Sequence, residues 1–193
     1  CIAVNVTAVK HLTEIMEGTE MRLDHFSSDY VYHQYNGFPL IETDTLNPQS
    51  VYAKSKADGE MIIRNSKVPA LILRSSWIIS PYGHNFVKTM VRLGQTRDSI
   101  HVVNDQLGAI TYATDLAKTV MAIIEKVESR KEMLPAFNDP YNYANEGITS
   151  WFDIATAIMK LKSLPSKVMP ISTRDYPTAA ARPQWSVLSK KKI

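Results

Sequence analysis

The chain has 193 residues, 45% of them apolar and 21% charged, with a formal net charge of +3; that length and composition suit a globular core and exclude a disordered chain. Its basic residues are scattered apart from Lys190, Lys191 and Lys192, a solvated end rather than a nucleic-acid patch, and no apolar run is long enough to span a bilayer. The single cysteine, Cys1, excludes an internal disulfide framework and a cysteine-rich zinc site and suits a reducing, cytoplasmic setting.

The opening residues already have helical spacing, with Val4, Ala8, His11, Leu12 and Ile15 in a stripe over a helix of roughly residues 3–16. A helix entered in mid-course, on a chain that starts with Cys, predicts that a preceding portion is missing. Met21 to Tyr32 is rich in β-branched and aromatic residues and predicts a strand ending in polar groups. The stretch NGFPLIETDTLNP is a surface crossing, and Pro48 is suited to set the first turn of a helix running from Tyr52 to about Arg64. Ala70 to Ser80, bounded by Pro69 and Pro81, is a continuous apolar run expected of a strand buried on both faces.

Alternation continues with a helix at about Asn85 to Gln95, a strand at Ile100 to Val103, and an amphipathic helix from Thr114 to Val127 capped by Asp115 or Thr114. A further helix, Ser150 to Leu161, opens on a capping-box pair, Thr149 or Ser150 with Asp153. Strand and helix in turn, joined by short loops, predict an α/β sheet with parallel strands, and there is no internal repeat. In such sheets ligands lie beyond the carboxyl ends of the strands, which directs attention to Ser27, Ser28 and Asp29 and to Ser75, Ser76 and Trp77. The seven glycines form neither GxGxxG nor GxxGxxG, so a dinucleotide's pyrophosphate would need residues outside this sequence.

Within QSVYAKSKADGE, Tyr52 and Lys56 are four residues apart, on one helix face. A phenol has a pKa of about 10, and an ammonium within about 4–6 Å favours the phenolate, so Lys56 is expected to lower the Tyr52 pKa. Ser28, on the strand before that helix, is placed to hydrogen-bond at the same oxygen and fix the angle of a carbonyl. A serine, a tyrosine and a lysine together suit ketone reduction, with hydride from a nicotinamide and the proton from Tyr52.

Bland readings apply elsewhere. His25 and His33 lack metal-ligand spacing and are expected to be surface or hydrogen-bonded residues; Met90, Met121 and Met159 fill core; Glu42 and Asp44 belong to a solvated loop. Asn5 suits a helix-to-loop hydrogen bond as well as a catalytic relay.

SSDYVY, VYAKSK, LRSSW, NDQLGAIT, YNYANEGITSWFDIA and ARPQWSVLSKKKI, in that order from about Asn5 to the last residue, resemble the dTDP-4-dehydrorhamnose reductases of the extended short-chain dehydrogenase/reductase group. The resemblance implies part of a Rossmann-like doubly wound parallel sheet with a smaller C-terminal substrate-binding domain. Residues 1–104 would be the remaining part of the dinucleotide-binding domain, interleaved with residues 105–193, mainly substrate-binding. It implies NADPH- or NADH-dependent reduction of dTDP-6-deoxy-L-lyxo-4-hexulose to dTDP-L-rhamnose, and a Mg2+ ion in some members whose N-terminal carboxylate has no counterpart here.

Carried over by motif, the resemblance implies Ser28, Tyr52 and Lys56 as catalytic residues. Lys56, Tyr52, Ser75 and Ser76 would meet the cofactor. Asp29, Tyr30, Trp77, Asn104, Gln106 and Arg182 would meet the sugar nucleotide, Arg182 through its phosphates. Ile110 stands where the family usually has proline, and Ser28 where threonine is commoner. A homodimer is compatible with the resemblance; nucleic acid and membrane are not expected as partners. The same superfamily also resembles the regulatory subunit of methionine adenosyltransferase, which gives the competing expectation of a non-catalytic binding subunit; Trp77, NDQLG and RPQWSVL favour the reductase.

Overall fold

The computed structural model describes residues 1–35, 37–130 and 139–193. Its first core is a three-stranded parallel sheet in the order β1–β2–β7, formed by β1 (Leu23–Ser28), β2 (Ala70–Ser75) and β7 (Pro140–Tyr143). Because side chains alternate across a strand, β2 sends Leu71 and Leu73 to one face and Ala70 and Ile72 to the other. The first pair packs on Leu116, Val120 and Val127 of α4 (Ala113–Ser129). The second packs on Val9 of α1 (Ala8–Met16) and Ile63 of α2 (Val51–Asn65). Helices on both faces of parallel strands make this a doubly wound α/β arrangement, as the alternation predicts.

A second core gathers Met90 of α3 (Phe86–Thr96), Ile100 and Val102 of β4 (Ser99–Val103), and Ile154, Ala155, Ile158 and Met159 of α5 (Trp151–Leu161). β4 pairs in parallel with β9 (Lys167–Ile171). The two cores alternate along the chain: α3 and β4 belong to the second, whereas the later α4 and β7 belong to the first.

Short strands join them. β3 (Ile78–Ile79) pairs with β6 (Thr111–Tyr112), and β5 (Leu107–Gly108) lies between β8 (Thr149–Ser150) and β10 (Trp185–Ser186). Beyond β10 the chain runs beside Leu40: Leu40 N donates to Val187 O, Ser189 N donates to Leu40 O, and the Trp185 indole donates to Phe38 O.

Several local expectations change. The apolar stripe on the first helix faces outward: Val4, Leu12 and Ile15 are exposed, and Val9, Thr13 and Met16 carry the burial. That helix begins with a π-helical turn, Ala3–Thr7. β1 stops at Ser28, whose hydroxyl accepts from Tyr30 N and opens the 3-10 turn Asp29–Val31. The N-cap of α2 is Ser50, accepting from Ala53 N, so Pro48 lies outside the helix. The run expected as one strand from Ala70 to Ser80 breaks at Trp77, whose φ of +46° is left-handed; an L-residue there cannot continue a strand. Neither Thr114 nor Asp115 caps α4; Asp115 instead accepts from Asn145, whose own Oδ1 accepts from Tyr112 N. The Ser150–Asp153 capping box is present in both directions.

Candidate active site

Parallel pairing in register sets Ser28 of β1 beside Ser75 of β2 at the carboxyl edge of the first sheet. Ser28 Oγ donates to Asp29 Oδ1 at 3.1 Å. The turn after β1 then carries Tyr30 against Tyr52, near the start of α2, with ring centroids 5.9 Å apart in an edge-on arrangement. Ser28, Asp29, Tyr30 and Tyr52, four of the residues singled out from the sequence, therefore form one cluster. Arg182 contributes positive charge to it through Tyr30.

The electrostatics of the cluster differ from expectation. The Tyr52 phenol is pushed up from its ordinary pKa, first by burial and further by the Asp29 carboxylate, and the hydrogen-bonding Ser28 hydroxyl opposes the shift. Lys56 does not supply the expected lowering, because its ammonium donates to the Phe26 carbonyl at 2.8 Å. Burial lowers the Lys56 pKa, and the Glu60 carboxylate one turn further along pulls it back up. Asp29, only 3% exposed, is pushed up to about 6 by burial, against the stabilising contacts of Ser186, Ser28 and local backbone. Asp29 Oδ2 and Ser186 Oγ are both buried without a completed hydrogen bond.

At the end of β2, Ser75 Oγ is buried and unpartnered. Ser76 is committed: it is wholly buried and its hydroxyl donates to Ala109 O at 2.7 Å, which fastens the strand end. Trp77 stacks on Trp151, with centroids 3.9 Å apart and planes 20° from parallel. Gly108 permits this, since a Cβ there would lie 2.9 Å from the Trp77 ring.

A cavity of about 370 Å3 opens on the second core between Phe86, Ile100, Trp151, Tyr176, Gln106 and Arg182. Its size falls in the range of small-molecule pockets, about 300–1,000 Å3. Gln106 is held there by donating to Thr173 Oγ1 at 3.1 Å, and Asp105 accepts from Thr173 N and Oγ1. Asn104 stands apart, with its side chain exposed and its backbone N–H on Ile171 O.

His25, Glu42 and Asn5 have more specific surroundings than the sequence predicts. His25 is buried against α2 with Nε2 unpartnered, and burial, with Lys56 nearby, lowers its pKa to about 4. Glu42 is not merely solvated: its carboxylate accepts from Asn142 N and its carbonyl accepts from Arg74. Asn5 Nδ2 donates to Ser55 Oγ, which in turn donates to Tyr52 O, so Asn5 braces the first turn of α2.

Glu60, Arg74 and Ser186 stand outside the site residues that the sequence predicts. Arg74 was visible as a charge inside an apolar strand, which needs a buried partner. Glu60 was visible as the next residue on the Tyr52–Lys56 face. Among the described residues no group of three or more His, Cys, Asp or Glu is arranged to hold a metal ion, and no helix is long and apolar enough to cross a membrane.

In sequence the chain is 39% identical over 198 residues to the dTDP-4-dehydrorhamnose reductase of Aggregatibacter actinomycetemcomitans, covering 99% of this chain and 66% of that protein. It is 37% identical to the spore coat polysaccharide biosynthesis protein SpsK of Bacillus subtilis (strain 168), covering 88% of this chain and 56% of that protein. The fold superposes on a crystal structure of dTDP-4-dehydrorhamnose reductase from Bacillus anthracis str. Ames in complex with NADP, with a TM-score of 0.88 and 31% identity, covering 97% of this chain and 64% of that one. The chain thus spans 56–66% of the length of these relatives. All of its residues, 1–193, match the family described as RmlD substrate binding domain, and the chain belongs to that family.

Proposed function

We propose that the complete protein reduces the 4-keto group of dTDP-6-deoxy-L-lyxo-4-hexulose to dTDP-L-rhamnose, using NADPH or NADH. The observation that carries this reading is the gathering of Ser28, Tyr30 and Tyr52 at the carboxyl edge of a parallel sheet, where the Ser28 hydroxyl accepts from Tyr30 N and the Tyr30 ring meets that of Tyr52. In this reading Tyr52 gives its proton to the substrate's ketone oxygen as that oxygen gains charge, and Ser28 holds the same oxygen at the angle the transfer needs.

When bound, the nicotinamide supplies the hydride. The residues present fit its nicotinamide end: Ser75 Oγ is a buried polar atom without a partner beside Ser28, and Tyr52 and Lys56 flank the same edge. A cofactor ribose would give the Lys56 ammonium an alternative acceptor to the Phe26 carbonyl. The pyrophosphate has no glycine-rich cradle within these 193 residues, so cofactor binding calls on the part of the relatives' length that the chain does not span.

On the substrate side, Asp29 and Tyr30 face the sugar from the end of β1, and Trp77 from just beyond the end of the neighbouring β2. Gln106 and Arg182 open the cavity between Phe86 and Trp151 to the nucleotide, where Arg182 meets the diphosphate. The first core is then the cofactor-side unit and the second the substrate-side unit.

The test is NADPH oxidation by the complete gene product with the keto-sugar nucleotide. Substrate-dependent consumption of NADPH, with dTDP-L-rhamnose as product, is the expected result. A folded protein that binds the sugar nucleotide and consumes neither NADPH nor NADH would overturn the reading in favour of a binding subunit.

A further inference from the structure

Helix α2 carries Tyr52 and Lys56, whereas Ser28 and Ser75 sit on strands β1 and β2, so the site exists only if the helix holds one axial position against the sheet. Apolar packing is non-directional and tolerates sliding. A bidentate guanidinium–carboxylate pair does not. Residues 52, 56 and 60 lie on one face of α2 at successive turns, and the third of them is Glu60, 1% exposed.

The Glu60 carboxylate joins all three elements. Arg74 of β2 donates to it from Nε, at 3.0 and 3.2 Å, and from Nη2 at 2.6 Å. Ser27 of β1 donates its hydroxyl to Glu60 Oε1. Ser27 immediately precedes Ser28, and Arg74 immediately precedes Ser75. The remaining guanidinium nitrogen, Nη1, donates to Tyr32 OH at 2.7 Å and to Glu42 O at 3.2 Å. Tyr32 OH donates onward to Asn142 Oδ1 of β7. A buried pair is not retained for stability alone, because an apolar pair of similar volume often serves as well or better. What it adds is a fixed direction.

We infer that Glu60 and Arg74, with Ser27, are positioning residues that set the register of α2 against β1 and β2 and so bring Tyr52 to Ser28. The inference rests on the proposed reductase reading for its consequence in turnover, and on the geometry alone for its consequence in structure.

Two readouts test it in the complete protein. The first is the proton–proton Overhauser contact between the Tyr30 and Tyr52 rings, recorded without cofactor or substrate; the second is steady-state NADPH oxidation. The double variant Glu60→Leu/Arg74→Met should fold with wild-type helicity, lose the ring contact, and show kcat reduced about 10- to 100-fold with KM for the sugar nucleotide within about threefold. Retention of both the ring contact and a kcat within about threefold of wild type would overturn the inference.

If the double variant does not fold, Ser27→Ala decides. It removes only the β1 tether and should weaken the ring contact and lower kcat about 3- to 10-fold, with Ser27→Thr restoring both. A silent Ser27→Ala would then refute the inference. If unaltered protein consumes neither NADPH nor NADH, the reductase reading fails, and the ring contact alone still decides whether this network sets the register.

Discussion

Ser28 donates its hydroxyl hydrogen to Asp29 Oδ1 across 3.1 Å, so the hydroxyl placed to orient a substrate is itself oriented by a buried carboxyl group. Burial raises the Asp29 pKa from 3.8 to about 6. A folded state that holds a proton more tightly than the unfolded chain gains stability at low pH and loses it as pH rises.

For Asp29 the contribution is fully present below about pH 4 and is lost as pH climbs to about 6. At about 1.4 kcal/mol per pH unit the loss is on the order of 3 kcal/mol. Asp29→Asn keeps an acceptor for Ser28 and gains an N–H for the unpartnered Ser186 Oγ. Chemical denaturation at pH 7.5 should show the variant more stable than wild type by about 1–3 kcal/mol, with the difference gone below pH 4. Equal stabilities at both pH values would show that Asp29 is not held in an unfavourable charged state.

His25 works in the opposite sense over an overlapping window. Its folded pKa of about 4 lies below the ordinary 6.5, so stability falls as pH drops from 6.5 towards 4. The groups facing it are Lys56, which lowers its pKa, and Glu60, which raises it. Between pH 4 and 6 the His25 loss and the Asp29 gain partly cancel, and wild type should show a shallow pH profile there. The His25 ring carbons, followed by NMR, should remain those of neutral imidazole down to pH 5. A midpoint near 6.5 would contradict the burial.

Gly59 allows α2 to touch the π-helical turn before α1. A Cβ at this position would collide with the Asn5 carbonyl oxygen, a backbone atom that cannot swing aside. Gly59→Ala should therefore destabilise the fold by about 1–3 kcal/mol despite alanine's better helix propensity, measured by denaturant midpoint. Stabilisation of about 1 kcal/mol, the propensity gain alone, would mean that the two segments are not in contact there.

The alternation of apolar runs with helical stripes predicts the α/β class, because burial on both faces of β2 leaves a continuous apolar run, Ala70–Leu73, between helical segments. The capping box at Ser150 and Asp153 was equally local and equally legible. Periodicity could not say which of two stripes on the first helix faces inward: Val9, Thr13 and Met16 are spaced as well as Val4, Leu12 and Ile15. Spacing put Lys56 one turn from Tyr52, but the rotamer that sends its ammonium to the Phe26 carbonyl depends on a strand 30 residues away. The positive φ of Trp77, which ends β2, is a tertiary effect: its ring is held flat on Trp151 over Gly108. Arg74 and Glu60 were legible in principle, since a charge in a both-faces-buried strand must find a partner, yet sequence alone does not give the partner's address.

Tyr52→Phe tests the central claim most directly, because it removes one oxygen from a ring whose edge-on contact with Tyr30 can persist. In the complete protein with NADPH and the keto-sugar nucleotide, kcat should fall by at least about 10²-fold while KM for the sugar nucleotide stays within a few-fold, the pattern of a group needed in the transition state. Turnover within about threefold of wild type would show that the proton comes from elsewhere and that the Ser28–Tyr52 meeting is not the reacting centre.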